Sequence, residues 1–178
     1  MVPLQRDILK LGIAIDNINI LFGNIKEVYE LNTEMLMSLE KLCTTRPDRQ
    51  HISIGESLIN YSNKLKITYS KYTVNCQLSL DTLIKLTTKE KSFRNWIRKI
   101  NEDTQVNRLQ LQDYLVNPIK RMVLYPLMIK QLVKYTPSSD VEYPTLLNAL
   151  QYVSIIYLLF YYFFICLNFI PFYLEKEK

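Results

Sequence analysis

The chain has 178 residues, enough for one domain with its own core, and carries 22 basic against 17 acidic side chains for a formal charge of +5. So small an excess, mixed along the whole length, argues against a nucleic-acid surface, and no nucleic-acid partner is expected. Three glycines and seven prolines among abundant Leu, Ile, Lys, Asn and Tyr suit helices rather than a turn-rich β-fold.

The chemistry-bearing residue types are sparse. Cys43, Cys76 and Cys166 are isolated, and His51 is the only histidine, so neither a zinc site nor a disulfide framework is spelled out and a reducing compartment is expected. No glycine-rich phosphate loop and no Ser-His-Asp or Cys-His arrangement occurs. Covalent catalysis is therefore not expected, and neither is a cofactor. Arg6, Asp7 and Lys10 interrupt what would be the apolar core of a signal peptide.

In chain order, Leu21, Ile25, Val28, Met35, Leu36, Leu39 and Leu42 recur at helical spacing and predict one amphipathic helix over 16–42, with Asp16 at its N-cap. Thr44 to Asp48, with Pro47, is a break. Ile54, Leu58, Tyr61, Leu65, Thr68 and Tyr72 step by 4, 3, 4, 3 and 4. They predict a second helix, with Ser53 as cap and Glu56 completing a capping box. A shorter helix is predicted over 74–86, and Phe93, Trp96, Ile97 and Ile100 form the apolar face of another, with Trp96 read as core.

The most informative stretch is 109–135. Leu111, Leu115, Pro118, Met122, Tyr125, Ile129 and Leu132 fall at spacings 4, 3, 4, 3, 4 and 3, one continuous helical stripe. Asn117-Pro118 either kinks this helix or marks its start, and Pro126 is expected to bend it. A second stripe of Asp113, Asn117, Lys120, Leu124 and Gln131 is polar except in the middle. A leucine at the centre of a polar face points to a face that meets something. Thr136 to Asp140 then reads as a loop before a last helix beginning near Leu146. The expectation is an all-α fold, an elongated helical bundle.

Residues 153–173 carry no charge. At about 1.5 Å per residue they reach across a bilayer core of roughly 30 Å. The segment 151–174 is expected to be a hydrophobic, transmembrane-like helix, followed by a charged tail at 175–178. A membrane is then a candidate partner through 153–173, with the bundle cytoplasmic and tail-anchored. Two other readings compete: a buried final helix, or A/T-rich sequence that is not natural coding sequence, from a gene model that starts late and reads into an intron.

The order of segments resembles that of the Dbl-homology domain, the exchange module for Rho-family GTPases, over residues 1–150. The resemblance is carried by Ile20-Leu21-Phe22-Gly23-Asn24-Ile25 running into Glu27-Val28-Tyr29, by Ile54-Gly55-Glu56, and by Tyr69, Tyr72 and Cys76. Its strongest part is Tyr114-Leu115-Val116-Asn117-Pro118-Ile119-Lys120-Arg121 followed by Tyr125-Pro126-Leu127-Met128-Ile129. It implies guanine-nucleotide exchange without covalent chemistry, by stabilising a nucleotide-free Rho/Rac/Cdc42-type small GTPase. Asn117, Lys120, Arg121, Leu124, Met128 and Gln131 then stand as the GTPase-binding residues. Such domains place a lysine where this chain has Leu124, a glutamine where it has Lys120 and a lysine where it has Asn117. The family's first-helix glutamate has no counterpart here, and the domain is expected to be partial at both ends. The alternatives are an exchange-inactive GTPase-binding or scaffold module and a small membrane-anchored helical protein.

Overall fold

A computed structural model describes residues 3–45, 53–102 and 109–166, and among these every regular element is a helix. The order is α1 (Pro3–Lys10), α2 (Ile15–Phe22), α3 (Ile25–Thr45), α4 (Ile54–Lys89), α5 (Lys91–Glu102), α6 (Leu111–Tyr135) and α7 (Tyr143–Cys166). α4 is the spine, in contact with α2, α3, α5, α6 and α7. Its 36 residues span about 54 Å at the α-helical rise.

The single helix expected over 16–42 is two. Gly23 adopts φ +50°, a left-handed conformation that ends α2, and α3 restarts at Ile25. α4 fixes this break with side chains. Asn75 Nδ2 donates to the Ile20 carbonyl at 2.8 Å, and the Ser79 hydroxyl donates to that of Leu21. In return Asn24 Nδ2 donates to the Thr68 carbonyl at 3.0 Å. A Cβ on Gly23 would sit 2.6 Å from Asn75 Nδ2, so the glycine serves both the turn and the close approach. Asp16 lies in the first turn of α2 rather than at its cap, which is Ala14.

The second helix and the shorter one expected at 74–86 are one continuous α4. Their apolar stripes share one phase: Leu58, Leu65, Tyr69, Tyr72, Cys76, Leu80, Leu83 and Leu86 are all buried, so nothing forces a break between them. The predicted cap holds, with Ser53 Oγ accepting from Glu56 N–H at 3.2 Å. α6 begins at Leu111, not at Pro118. Asp113 accepts from the Gln110 N–H at 2.9 Å and starts the helix about two turns before the proline.

α7 runs through the expected boundary at residue 150. It begins at Tyr143 and buries Leu146, Ala149, Val153 and Ile156 in one stripe against the bundle. The stripe crosses 150 without interruption, so the first residues of the apolar segment belong to the core. Among the described residues no helix is long and apolar enough to cross a membrane. The remainder of the expected span and the charged tail, 167–178, lie outside the described residues, as does His51.

The core falls into two connected clusters. One joins α3, α4, α6 and α7 around Tyr69, Met122, Ile129 and Val153. The other joins α1, α2, the end of α4, α5 and the start of α6 around Ile8, Leu21, Phe93 and Leu111. Trp96 packs on this second cluster, its ring centroid 5.6 Å from that of Phe93, as a core residue should.

Candidate functional site

Two interior prolines oppose α6, each at a cost of roughly 3 kcal/mol to an isolated helix. Packing overrides them. Leu115, Val116, Ile119, Met122, Tyr125 and Ile129 are all buried, each contributing on the order of 1.5–3 kcal/mol. The expected apolar stripe is thus the inward side of the helix, except that Leu132 stays 39% exposed.

Polar contacts set the rotation of α6 about its axis. The Tyr125 hydroxyl donates to Asn32 Oδ1 on α3 at 3.1 Å. Asn32 Nδ2 in turn donates to the Tyr69 hydroxyl on α4 at 2.8 Å and to the Val28 carbonyl at 2.6 Å. One α4 turn along, the Tyr72 hydroxyl donates to the Leu115 carbonyl at 2.7 Å. These hydroxyls lie in low dielectric: burial pushes the Tyr69 phenol up to about 12, and pushes that of Tyr72 up further. Burial likewise raises the Cys76 thiol to about 12. On the far flank of α4, Lys71 and Lys64 bridge to Glu27 and Glu34 of α3 at 2.6 and 2.8 Å, and those lysines hold both carboxyls below the usual carboxylate range.

With its inner side so anchored, α6 turns Asn117, Lys120, Arg121, Leu124, Met128 and Gln131 outward, and all six are exposed. They occupy one face, at steps of three, one, three, four and three residues. Leu124 is 44% and Met128 46% exposed. Arg121 lies at the edge of this face with its guanidinium 5.4 Å from the centre of the Tyr125 ring, a cation–π contact one turn along.

The face is more apolar than the sequence stripe suggested. Leu127, 57% exposed, flanks it beside Lys120, and Tyr135, 77% exposed, extends it past Gln131. Continuing the step of four from Gln131 finds Tyr135. Leu127 lies one residue off the stripe, so only a broader view of the helix surface reveals it. A centre of Leu124, Leu127 and Met128 rimmed by Asn117, Lys120, Arg121 and Gln131 has the make-up of a protein-docking surface: an apolar middle with a polar border. Among the described residues no group of His, Cys, Asp or Glu is gathered to hold a metal ion.

Among the described residues, seven helices assembled on a 36-residue spine, with one long helix turned outward, define a class, and comparison with known proteins identifies it. A family model for the RhoGEF domain matches residues 2–157, and the chain belongs to that family. The fold is that of DH domains. The DH domain of FARP2 superimposes with a TM-score of 0.83 at 20% identity, covering 99% of this chain and 85% of that one. The DH/PH domains of PDZ-RhoGEF, solved with GTP-γ-S-activated RhoA, give a TM-score of 0.79 at 19% identity over 92% of this chain and 46% of that one.

Among curated relatives, the Myosin-M heavy chain of Dictyostelium discoideum is 32% identical over 130 residues, 73% of this chain and 7% of that protein. The phosphatidylinositol 3,4,5-trisphosphate-dependent Rac exchanger 1 protein of Mus musculus is 28% identical over 147 residues, 82% of this chain and 9% of that one. The chain spans less than a tenth of either relative. The family match runs to residue 157 and so takes in Val153 and Ile156, consistent with their burial in the core.

Proposed function

We propose that this domain accelerates guanine-nucleotide exchange on a Rho/Rac/Cdc42-type small GTPase, and that it docks the GTPase on the outward face of α6. The single observation that supports this most is the exposure of Asn117, Lys120, Arg121, Leu124, Met128 and Gln131 on one side of α6, in a chain of the RhoGEF family. No covalent chemistry is needed. A protein that binds the empty GTPase more tightly than the nucleotide-loaded one lowers the barrier to nucleotide release, whereas equal affinity for both forms shifts nothing. The apolar centre at Leu124, Leu127 and Met128 supplies burial, and the polar rim sets orientation. On this reading the bundle works in the cytosol.

The test is release of fluorescent GDP from Rho, Rac and Cdc42-type GTPases. Acceleration of at least one is expected, and none at high protein concentration defeats the proposal. One observation favours a second reading. Leu124 stands where the resemblance puts a lysine, so the face has less positive charge to disturb phosphate and Mg²⁺ in the GTPase. A GTPase-binding module with little exchange activity would bind the nucleotide-free form in a pull-down yet leave the release rate unchanged.

A further inference from the structure

Two buried tyrosines of α4 hold α6, Tyr72 through its own hydroxyl and Tyr69 through Asn32 to Tyr125. Pro118 and Pro126 offer no N–H to the Tyr114 and Met122 carbonyls, so the helix is weakest at those two levels. The Tyr72 hydroxyl reaches the Leu115 carbonyl, the one next after the Tyr114 carbonyl that Pro118 leaves without its helical donor. Tyr125, the residue directly before Pro126, is held through Asn32 to Tyr69. Tyr69 and Tyr72 are one turn apart on α4, so one helix holds the inner side of α6 near both prolines. Apolar packing alone would be served as well by phenylalanine, whereas each buried hydroxyl requires a partner.

The outward face straddles the second proline: Lys120, Arg121 and Leu124 precede Pro126, and Met128 and Gln131 follow it. A change of bend there moves the two halves of the face relative to each other, and a binding constellation has to be held to within about 0.5 Å. Arg121 joins the two sides of the helix, since its guanidinium rests on the Tyr125 ring that the inner relay holds.

We propose that Tyr72 and the Tyr69–Asn32–Tyr125 relay are positioning residues, clamps on the two proline breaks of α6 that hold its outward face in the GTPase-binding geometry. This rests on the exchange function proposed above. Loss of the clamps leaves the helix formed and packed but lets its bend vary, so that only part of the population is competent and the apparent affinity falls by that fraction.

The test uses the whole chain with Tyr72→Phe and Tyr125→Phe combined, and Ile18→Val in the other core cluster as a destabilised control. Backbone amide exchange is measured by mass spectrometry over 114–131 and over α4, alongside fluorescent-GDP release, at a series of domain concentrations, from whichever of the Rho, Rac and Cdc42-type GTPases the unmodified domain accelerates. In the double variant, exchange over 114–131 rises on the order of tenfold more than in α4, as loss of two hydrogen bonds warrants. GDP release slows about tenfold at low domain concentration and recovers toward the wild-type ceiling at saturation. Ile18→Val lowers the melting temperature and produces neither effect. The clamp assignment is overturned if α6 loses no more protection than α4, or if Ile18→Val slows release equally. Should the unmodified domain release GDP from none of the Rho, Rac and Cdc42-type GTPases, the exchange function is lost, while the amide comparison still decides whether the tyrosines clamp the helix.

Discussion

The Glu142 carboxylate accepts a hydrogen bond of 2.6 Å from the Gly55 N–H, so the loop entering α7 caps the first turn of α4. A negative charge at that end also complements the helix dipole. Backbone approaches backbone at the same point, because a Cβ on Gly55 would lie 2.6 Å from the Thr145 carbonyl carbon. The glycine of the Ile54-Gly55-Glu56 motif is therefore a packing residue.

This contact reverses an ordinary rule. In an exposed helix, Gly→Ala stabilises by about 1 kcal/mol. Gly55→Ala is expected instead to destabilise by roughly 2–3 kcal/mol, because the methyl group forces α7 away from α4. Glu142→Ala removes the cap alone and should cost about 1 kcal/mol. Urea denaturation of both variants checks the order, and a Gly55→Ala variant as stable as the parent would refute the close approach.

Alkaline pH should unfold the domain through its tyrosines. The Tyr69 phenol is raised by burial from 10.0 to about 12 in the fold, so the folded chain keeps a proton that the unfolded chain releases. Stability is therefore complete below pH 10 and falls as the pH rises toward 12, by about 2–3 kcal/mol from this group. Tyr72, raised by burial as well, adds to the slope. Urea midpoints at pH 8, 10 and 11 should be level and then drop, and Tyr69→Phe should flatten the drop.

Reactivity of the thiols should follow burial. Cys43 is exposed and Cys76 is buried with its thiol held protonated to about pH 12. The thiolate is the reactive form. With a maleimide at pH 7.5, Cys43 should be labelled promptly, whereas Cys76 should react only as the domain unfolds. Peptide mass mapping separates the two sites, and prompt labelling of Cys76 in the native protein would contradict the packing around it.

The legible parts of this chain were those governed by a single helical period. The inward stripe of α6 and the stripe of the early α4 follow directly from spacing, because each faces one continuous core. Ser53 and Glu56 announced the start of α4 for the same local reason, a side chain answering an orphan N–H. The break at Gly23 is hidden, since the apolar residues of α2 and α3 keep nearly one phase across it and the turn is held by long-range contacts among Asn75, Ser79, Asn24 and Thr68. The unity of α4 was hidden by a polar-looking middle: Thr73 and Ser79 are buried, and Ser79 finds its partner on α2. Residues 151–158 looked like a span because periodicity is invisible in a segment apolar all round; the buried subset Val153 and Ile156 emerges only against α4 and α6. The exposure of the outward face of α6 follows from the same period, whereas its apolar extension through Leu127 lies one residue off the stripe and shows only in the packed helix.

Leu124 offers the sharpest test of that face. It is 44% exposed on the outward side of α6, so substitution there should leave stability within about 0.5 kcal/mol. Leu124→Lys restores the positive charge that the resemblance puts at this position, and should raise the rate of GDP release several-fold over the unmodified domain. Leu124→Asp places a negative charge in the apolar centre between Lys120 and Met128 and should abolish binding of the nucleotide-free GTPase without changing the melting curve. Release assays and pull-downs on the same three proteins distinguish the outcomes. If all three behave alike while remaining folded, the outward side of α6 takes no part in binding, whatever the domain does elsewhere on its surface.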